Sequence, residues 1–252
     1  MAVNPPPGGP GAGTAAAPQP PWRVAAFVAG VVAVVVLTIA LAAAARGHGP
    51  SDSRAVSVAA DSVRTVDLQA PPGQLDIVTT QTSRVTLSGP VHWAGHHAVL
   101  VTGPRLADGV LHLAYRCAVH SPCTGRLRLV VPQHCGIVLR QPSGHVIMTG
   151  LAGPLRIRAR SVDISATGLR SPSLAVSITS GHLNAWFVSP PRRVGLTLVS
   201  AQAALHLPAT VPYRVSQQVA SGYVHAGIPQ AGHADRTITA RVSSGELELL
   251  SR

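Results

Sequence analysis

The sequence predicts an all-β fold, a β-solenoid or closely related stacked β-repeat ectodomain preceded by one transmembrane α-helix. Three observations predict it. An uninterrupted apolar run lies near the N-terminus, a Ser-Gly unit recurs through the rest of the chain, and no window after the apolar run carries a 3.6-residue period.

Residues 1–22 are dominated by Pro, Gly and Ala and hold no charged side chain. Such a segment buries too little apolar surface to offset its ordering, so a disordered tail is expected. Residues 23–46 contain VAAFVAGVVAVVVLTIALAAAA, 22 residues without an ionisable group. As a helix it spans about 33 Å, enough for a hydrocarbon core of ~30 Å. A soluble helix of this length normally shows a polar face, and this one has none. The competing reading is a cleaved signal peptide, but the run exceeds the usual h-region and its n-region is long and nearly uncharged. A retained single-pass anchor is the expectation.

Orientation rests on two opposing signals. Arg46, Arg54 and Arg64 follow the helix and only Arg23 precedes it, which by the positive-inside rule keeps the C-terminal part in the cytoplasm. Long domains translocate largely regardless of such charges, and the cysteine placement points the other way. An extracytoplasmic C-terminal domain is expected, on a bacterial cell membrane.

Residues 47–62 read as a juxtamembrane linker, and 63–252 as the β-repeat domain. Here Ser143-Gly144, Ser180-Gly181, Ser221-Gly222 and Ser244-Gly245 each open an alternating run, and SAQAALHLP from Ser200 has the same shape with Ala201 for glycine. The steps from Ser180 are 20, 21 and 23 residues. The first step, from Ser143, is about twice that, and VDISATGL from Val162 fills the gap as a degenerate copy of VIMTGL. Each unit is expected to be strand, tight turn and strand, with Gly144, Gly181, Gly222 and Gly245 supplying a positive φ. Leu183, Ala185 and Phe187 then share one face, as do Leu247 and Leu249. One unit cannot bury that face alone; stacked units can.

These SG-x-V/L units, VPYRV at 211–215 and the ending RTITARVSSGELEL at 236–249 resemble the bacterial DUF4097 family of adhesin-like β-strand repeat domains. The resemblance covers roughly 60–252. It implies a β-stranded envelope domain and no catalytic residues.

The three cysteines form no Cys-x-x-Cys pair. Cys117 and Cys123 flank a short Pro-containing turn between VLHLAY and RLRLVV, where a hairpin would let them form a disulfide in an oxidising compartment. Cys135 is expected as a buried small hydrophobe.

Chemistry is thinly represented. Beyond residue 131 the acids are Asp163, Asp235, Glu246 and Glu248. Glu246 and Glu248 share a strand face, but a solvated capping strand explains them, and no G-x-S-x-G elbow or phosphate loop is present. No enzyme activity and no cofactor are expected. The cluster His92, His96 and His97 offers ligands to a metal without a nearby carboxylate, so solvent-facing polar side chains are the preferred reading and no metal is expected. His145 and His182, at equivalent places after their Ser-Gly units, are expected about two rungs apart, too far to share a ligand easily.

The charge is the sharpest functional signal. All 20 basic residues are arginine, and 19 of them with all nine acids follow the apolar run, a formal charge of +10 there. Arg156, Arg158 and Arg160 alternate along one strand, as do Arg126 and Arg128. Such faces attract phosphate or carboxylate polymers. Nucleic acid is disfavoured because few aromatics accompany the arginines. The expected function is a membrane-anchored, non-catalytic binding or scaffold module, with anionic envelope polymers or an envelope protein as partner. An accessory sensor in an envelope-stress system is the alternative, and a carbohydrate-active enzyme ranks third.

Overall fold

Apolar and polar residues alternate along nearly every strand of this chain, so each strand offers one face to a core and one to water. The computed structural model describes residues 51–53, 55–81, 83–93, 100–117 and 122–252. Among them it contains one sheet of fifteen strands and no helix. The tail, the expected transmembrane segment, His96 and His97 lie outside the described residues. The strands are β1 (Ser51–Ser53), β2 (Val56–Ala59), β3 (Thr65–Gln69), β4 (Gly73–Thr80), β5 (Arg84–Ser88), β6 (Pro90–Trp93), β7 (Leu100–Ala107) and β8 (Val110–Arg116). They continue as β9 (Cys123–Pro132), β10 (Gly136–Thr149), β11 (Leu155–Leu169), β12 (Ser173–Phe187), β13 (Arg193–Leu207), β14 (Arg214–Gly227) and β15 (Thr237–Ser251). β1 and β2 fall inside the 47–62 stretch read as linker, because β1 pairs antiparallel with β6 and β2 with β5; the sheet begins earlier than the sequence suggests.

The long strands β10 to β15 stack in parallel and in register, each as one rung. β3 with β4, and β8 with β9, make two more rungs broken at the bend. Each rung bends once, so its two halves face each other across a core. Leu139, Ile157, Val176, Leu196 and Ala240 form a buried column on one half. Val146, Ile164, Leu183, Ala203 and Leu247 form its counterpart on the other. Along β12 the inward row runs on from Leu183 through Ala185 to Phe187, and the last two are fully buried.

The Ser-Gly sites lie inside strands whose pairing to the neighbouring rungs runs on either side of the bend. Ser143, Ser161, Ser180 and Ser200 stand in register, with the Ser161 and Ser180 hydroxyls 3.0 Å apart. At Gly144 φ is 118°, and an added Cβ would lie 1.9 Å from the Gly73 carbonyl oxygen of the next rung. At Gly181 φ is 115° and the same atom would lie 2.3 Å from the Val162 oxygen. Glycine is therefore required twice over, by torsion and by backbone approach. Gly245 corrects the expectation: its φ is not in the positive region, and only close approach, 2.2 Å from a Cβ to the Ala201 oxygen, explains it.

The spatial order departs from the chain order at both ends. β15 inserts between β13 and β14, so the Ser221-Gly222 rung is outermost and the Ser244-Gly245 rung is inside it. The cause is legible in the side chains. β15 turns Ile238, Ala240, Val242, Leu247 and Leu249 inward, all buried. β14 offers Val215, Gln217, Val219, Val224 and Ala226 at the paired positions, and none of these is buried. A strand with glutamine on its inner face costs less at the edge than in the stack. At the other end β8/β9 lies outside β3/β4 and is covered by antiparallel β7 on one half and β5 and β6 on the other.

β8 and β9 do not pair with each other as the hairpin reading supposes; they are the two halves of one rung. The Cys117–Cys123 disulfide closes its bend, with Cα atoms 5.6 Å apart. Gly125, just beyond, pairs with Gly73 of the neighbouring bend. Cys135 is a buried free thiol whose desolvation pushes its pKa up to about 11.

Candidate binding faces

The bend divides the outer surface into two faces. On the first, residues before the bend point outward; on the second, those after it do.

Arg156 and Arg158 are exposed on the first face of β11. Across the stack Arg156 pairs with Ala175, then Gly195, then Thr239. Arg158 pairs with Ser177, then Thr197, then Arg241. Small side chains between two arginine-bearing strands leave a trough of about 380 Å³, lined by both arginines, Arg241, Ser177, Thr197 and Thr239. No acidic residue lines it. At Gly195 an added Cβ would meet nothing within 4 Å, so the floor is open. Three strand steps separate Arg158 from Arg241, about 14 Å at the usual spacing. Beyond β11 the row continues to Arg140, whose guanidinium is held by the Asp67 carboxylate. Arg160 sits at the bend, on the rim of a second hollow of about 650 Å³ that also meets Arg140 and Arg158.

The structure splits the arginines that the sequence groups together. Arg126 and Arg128 are exposed on β9, opposite Gln74 and Asp76 of β4, which places them on the second face. Arg241, which sequence reading missed, joins Arg156 and Arg158 instead. Nothing in the local pattern of TARV marks it; only the insertion of β15 beside β13 brings it there.

The second face carries a polar row just past the bend. Its members in register are Arg126, Gln74, His145 and Asp163. At the other end Gln202, Glu246 and Tyr223 continue it. His182 donates its backbone N–H to Asp163 and holds its Nδ1 2.8 Å from Oδ1, while His145 Nδ1 lies 3.6 Å from Oδ2. The two histidines are two rungs apart, as the repeat implies, and the Asp163 carboxylate between them meets both. The His182 hydrogen bond holds the Asp163 carboxyl below its ordinary pKa, outweighing the desolvation that opposes it, and the electrostatic pull of His182 and His145 adds to the lowering. Tyr223 donates to Glu246, which raises the phenol pKa. Glu246 and Glu248 do share one outward face, with Glu246 engaged by that phenol. His92 stands on β6 opposite Thr124. Among the described residues no group of three or more His, Cys, Asp or Glu side chains is placed to hold a metal ion.

No family model matches the chain, and no curated protein does. Solved structures do. A candidate cell-adhesion protein from Clostridium sporogenes aligns at 10% identity with TM-score 0.46, covering 81% of this chain and 100% of its own. A candidate adhesin from Bacteroides fragilis aligns at 12% identity with TM-score 0.36, covering 80% and 97%. One from Parabacteroides distasonis aligns at 14% identity with TM-score 0.31, covering 82% and 98%.

Proposed function

We propose that the chain is a non-catalytic binding module of the bacterial cell envelope, anchored through residues 24–45, that takes an anionic polymer into the arginine trough of its first face. The observation that carries this is the trough itself. Arg156, Arg158 and Arg241 wall an open floor that holds three hydroxyl side chains and no carboxylate. Guanidinium groups pair bidentately with carboxylate or phosphate, and hydroxyls suit the polar backbone between such charges. The bridged cysteines support an extracytoplasmic setting, since such bonds persist in oxidising compartments. DUF4097 membership and adhesin-like behaviour belong to the same reading.

The test uses the full chain in detergent with polyglycerol phosphate, polygalacturonate and a neutral glucan over a salt series. Binding of an anionic polymer that weakens steeply with salt is expected. Replacing Arg156, Arg158 and Arg241 with glutamine should abolish it, and Gly195→Leu should weaken it by filling the floor. Replacing Arg126 and Arg128 should leave most of it. Equal loss in both arginine sets would reduce the effect to net charge and overturn the assignment to the trough.

A further inference from the structure

The second face holds a different kind of site. Trp186 and His206 pair across β12 and β13, and their rings stack with centroids 3.5 Å apart and planes 11° from parallel. Trp186 remains 36% exposed. Its free indole face turns towards β11, where the register slips by one residue between Ala166 and Leu169 and sets Thr167 and Gly168 opposite it. The glycine has no side chain to cover the ring. Two residues before the indole on β12, Asn184 pairs with Ala204, which pairs with Glu248. With His182, Gln202 and Glu246 these line a shallow trough of about 270 Å³. Among the described residues Asn184, Gln202 and Glu248 make no side-chain hydrogen bond; Asn184 and Gln202 are exposed, and the half-buried Glu248 carboxylate acts on the His206 ring through its charge alone.

We propose that this face binds an uncharged, equatorially linked pyranose chain running across the strands, with one ring stacked on the free face of Trp186 and later rings lying over Ala204 between Asn184 and Glu248. The chemistry selects that ligand class. An exposed indole offers a flat apolar surface matching the axial C–H face of a pyranose. Side-chain amides both donate and accept, and a carboxylate accepts in two places, which suits vicinal hydroxyls. The carboxylates of Glu246 and Glu248 repel the anionic polymers assigned to the opposite face. A cationic peptide would need acceptors alone, and the two amides would then be half used. From β11, where the free face of Trp186 looks, to Glu248 on β15 is three strand spacings, about 14 Å, room for two or three rings. His206 is desolvated by burial, which lowers its pKa and keeps the ring beneath the indole neutral near pH 7.

The experiment titrates the full chain, in a detergent without a sugar headgroup, with cellotetraose and with tetra-N-acetylchitotetraose, followed by calorimetry and tryptophan fluorescence. Binding of either oligosaccharide, insensitive to salt, supports the proposal, and the arm that binds tells a plain glucan from an N-acetylated one. Trp186→Ala should weaken binding about tenfold, the scale of a lost aromatic stack, while Trp186→Phe retains most of it and loses the fluorescence change. Should Trp186→Ala fail to fold, the exposed pair Asn184→Ala and Glu248→Gln carries the same test with severalfold loss expected. No binding of either oligosaccharide, unchanged affinity in these variants, or salt-sensitive capture of oligolysine instead would overturn it. Because the expected binding is salt-insensitive and leaves Arg156 untouched, its failure is separable from failure of the first-face trough.

Discussion

His182 holds its Nδ1 2.8 Å from Asp163 Oδ1, one rung along the stack, and so fixes an aspartate between two histidines on an otherwise flat outer face. His145 approaches the other carboxylate oxygen from the opposite rung at 3.6 Å.

The pH consequence follows from the direction of the Asp163 shift. Its folded pKa is depressed, so its stabilisation is full above the unfolded value of about 3.9 and is lost as pH falls through the lower folded value. The carboxylate is 49% exposed, and solvent screening limits the contribution to at most about 1 kcal/mol. Asp163→Asn should lower stability slightly at neutral pH and flatten the acid limb below about pH 4. Urea denaturation across pH reads both; an unchanged acid limb would contradict the pairing.

Gly144→Ala should destabilise by about 3 kcal/mol or more, combining torsional strain with overpacking against the Gly73 carbonyl. Gly195→Ala, with open space at its Cβ, should fall within about 0.5 kcal/mol of the parent. Denaturation midpoints of the two variants make the comparison, and equal costs would mean that the bend is not packed as described.

The inserted order of the last two rungs is testable by truncation. Leu247 on β15 is fully buried, and Leu247→Ala should cost about 2–5 kcal/mol. Val219 on the outermost β14 is 41% exposed, and Val219→Ala should cost less than about 0.5 kcal/mol. Stacking in chain order would bury β14 and reverse or level the two values.

Replacing Cys117 and Cys123 with serine releases a short loop and should cost about 2 kcal/mol on the chain-entropy estimate. In the oxidised parent a thiol-alkylating reagent should label nothing until the chain is unfolded, and Cys135 alone thereafter. Burial keeps that thiol inaccessible, and its pKa of about 11 keeps it protonated at neutral pH. Rapid labelling of the folded chain would place Cys135 at the surface.

Some of this architecture is local and therefore readable in the sequence. Alternation in HLNAWF determined that Leu183, Ala185 and Phe187 are buried, because a strand has a two-residue period whatever surrounds it. The recurrence of Ser-Gly marked where four of the rungs bend and placed Ala201 at the same position in a fifth, while the register alone sets Val162 opposite Gly144. The disulfide partners were legible from their spacing, though not the geometry that joins them. What only the tertiary structure decided is which rung stacks on which. Repeats with the same period fit any neighbour in register, so local pattern leaves their order open. Burial settles it, by drawing the apolar inner face of β15 inside and leaving Gln217 of β14 at the edge. That choice carried Arg241 to Arg156 and Arg158, and Glu248 to Asn184, through pairings between distant segments of the chain. The bend between β8 and β9 then set Arg126 and Arg128 on the far side, where alternation within one strand gives no hint of the face they share.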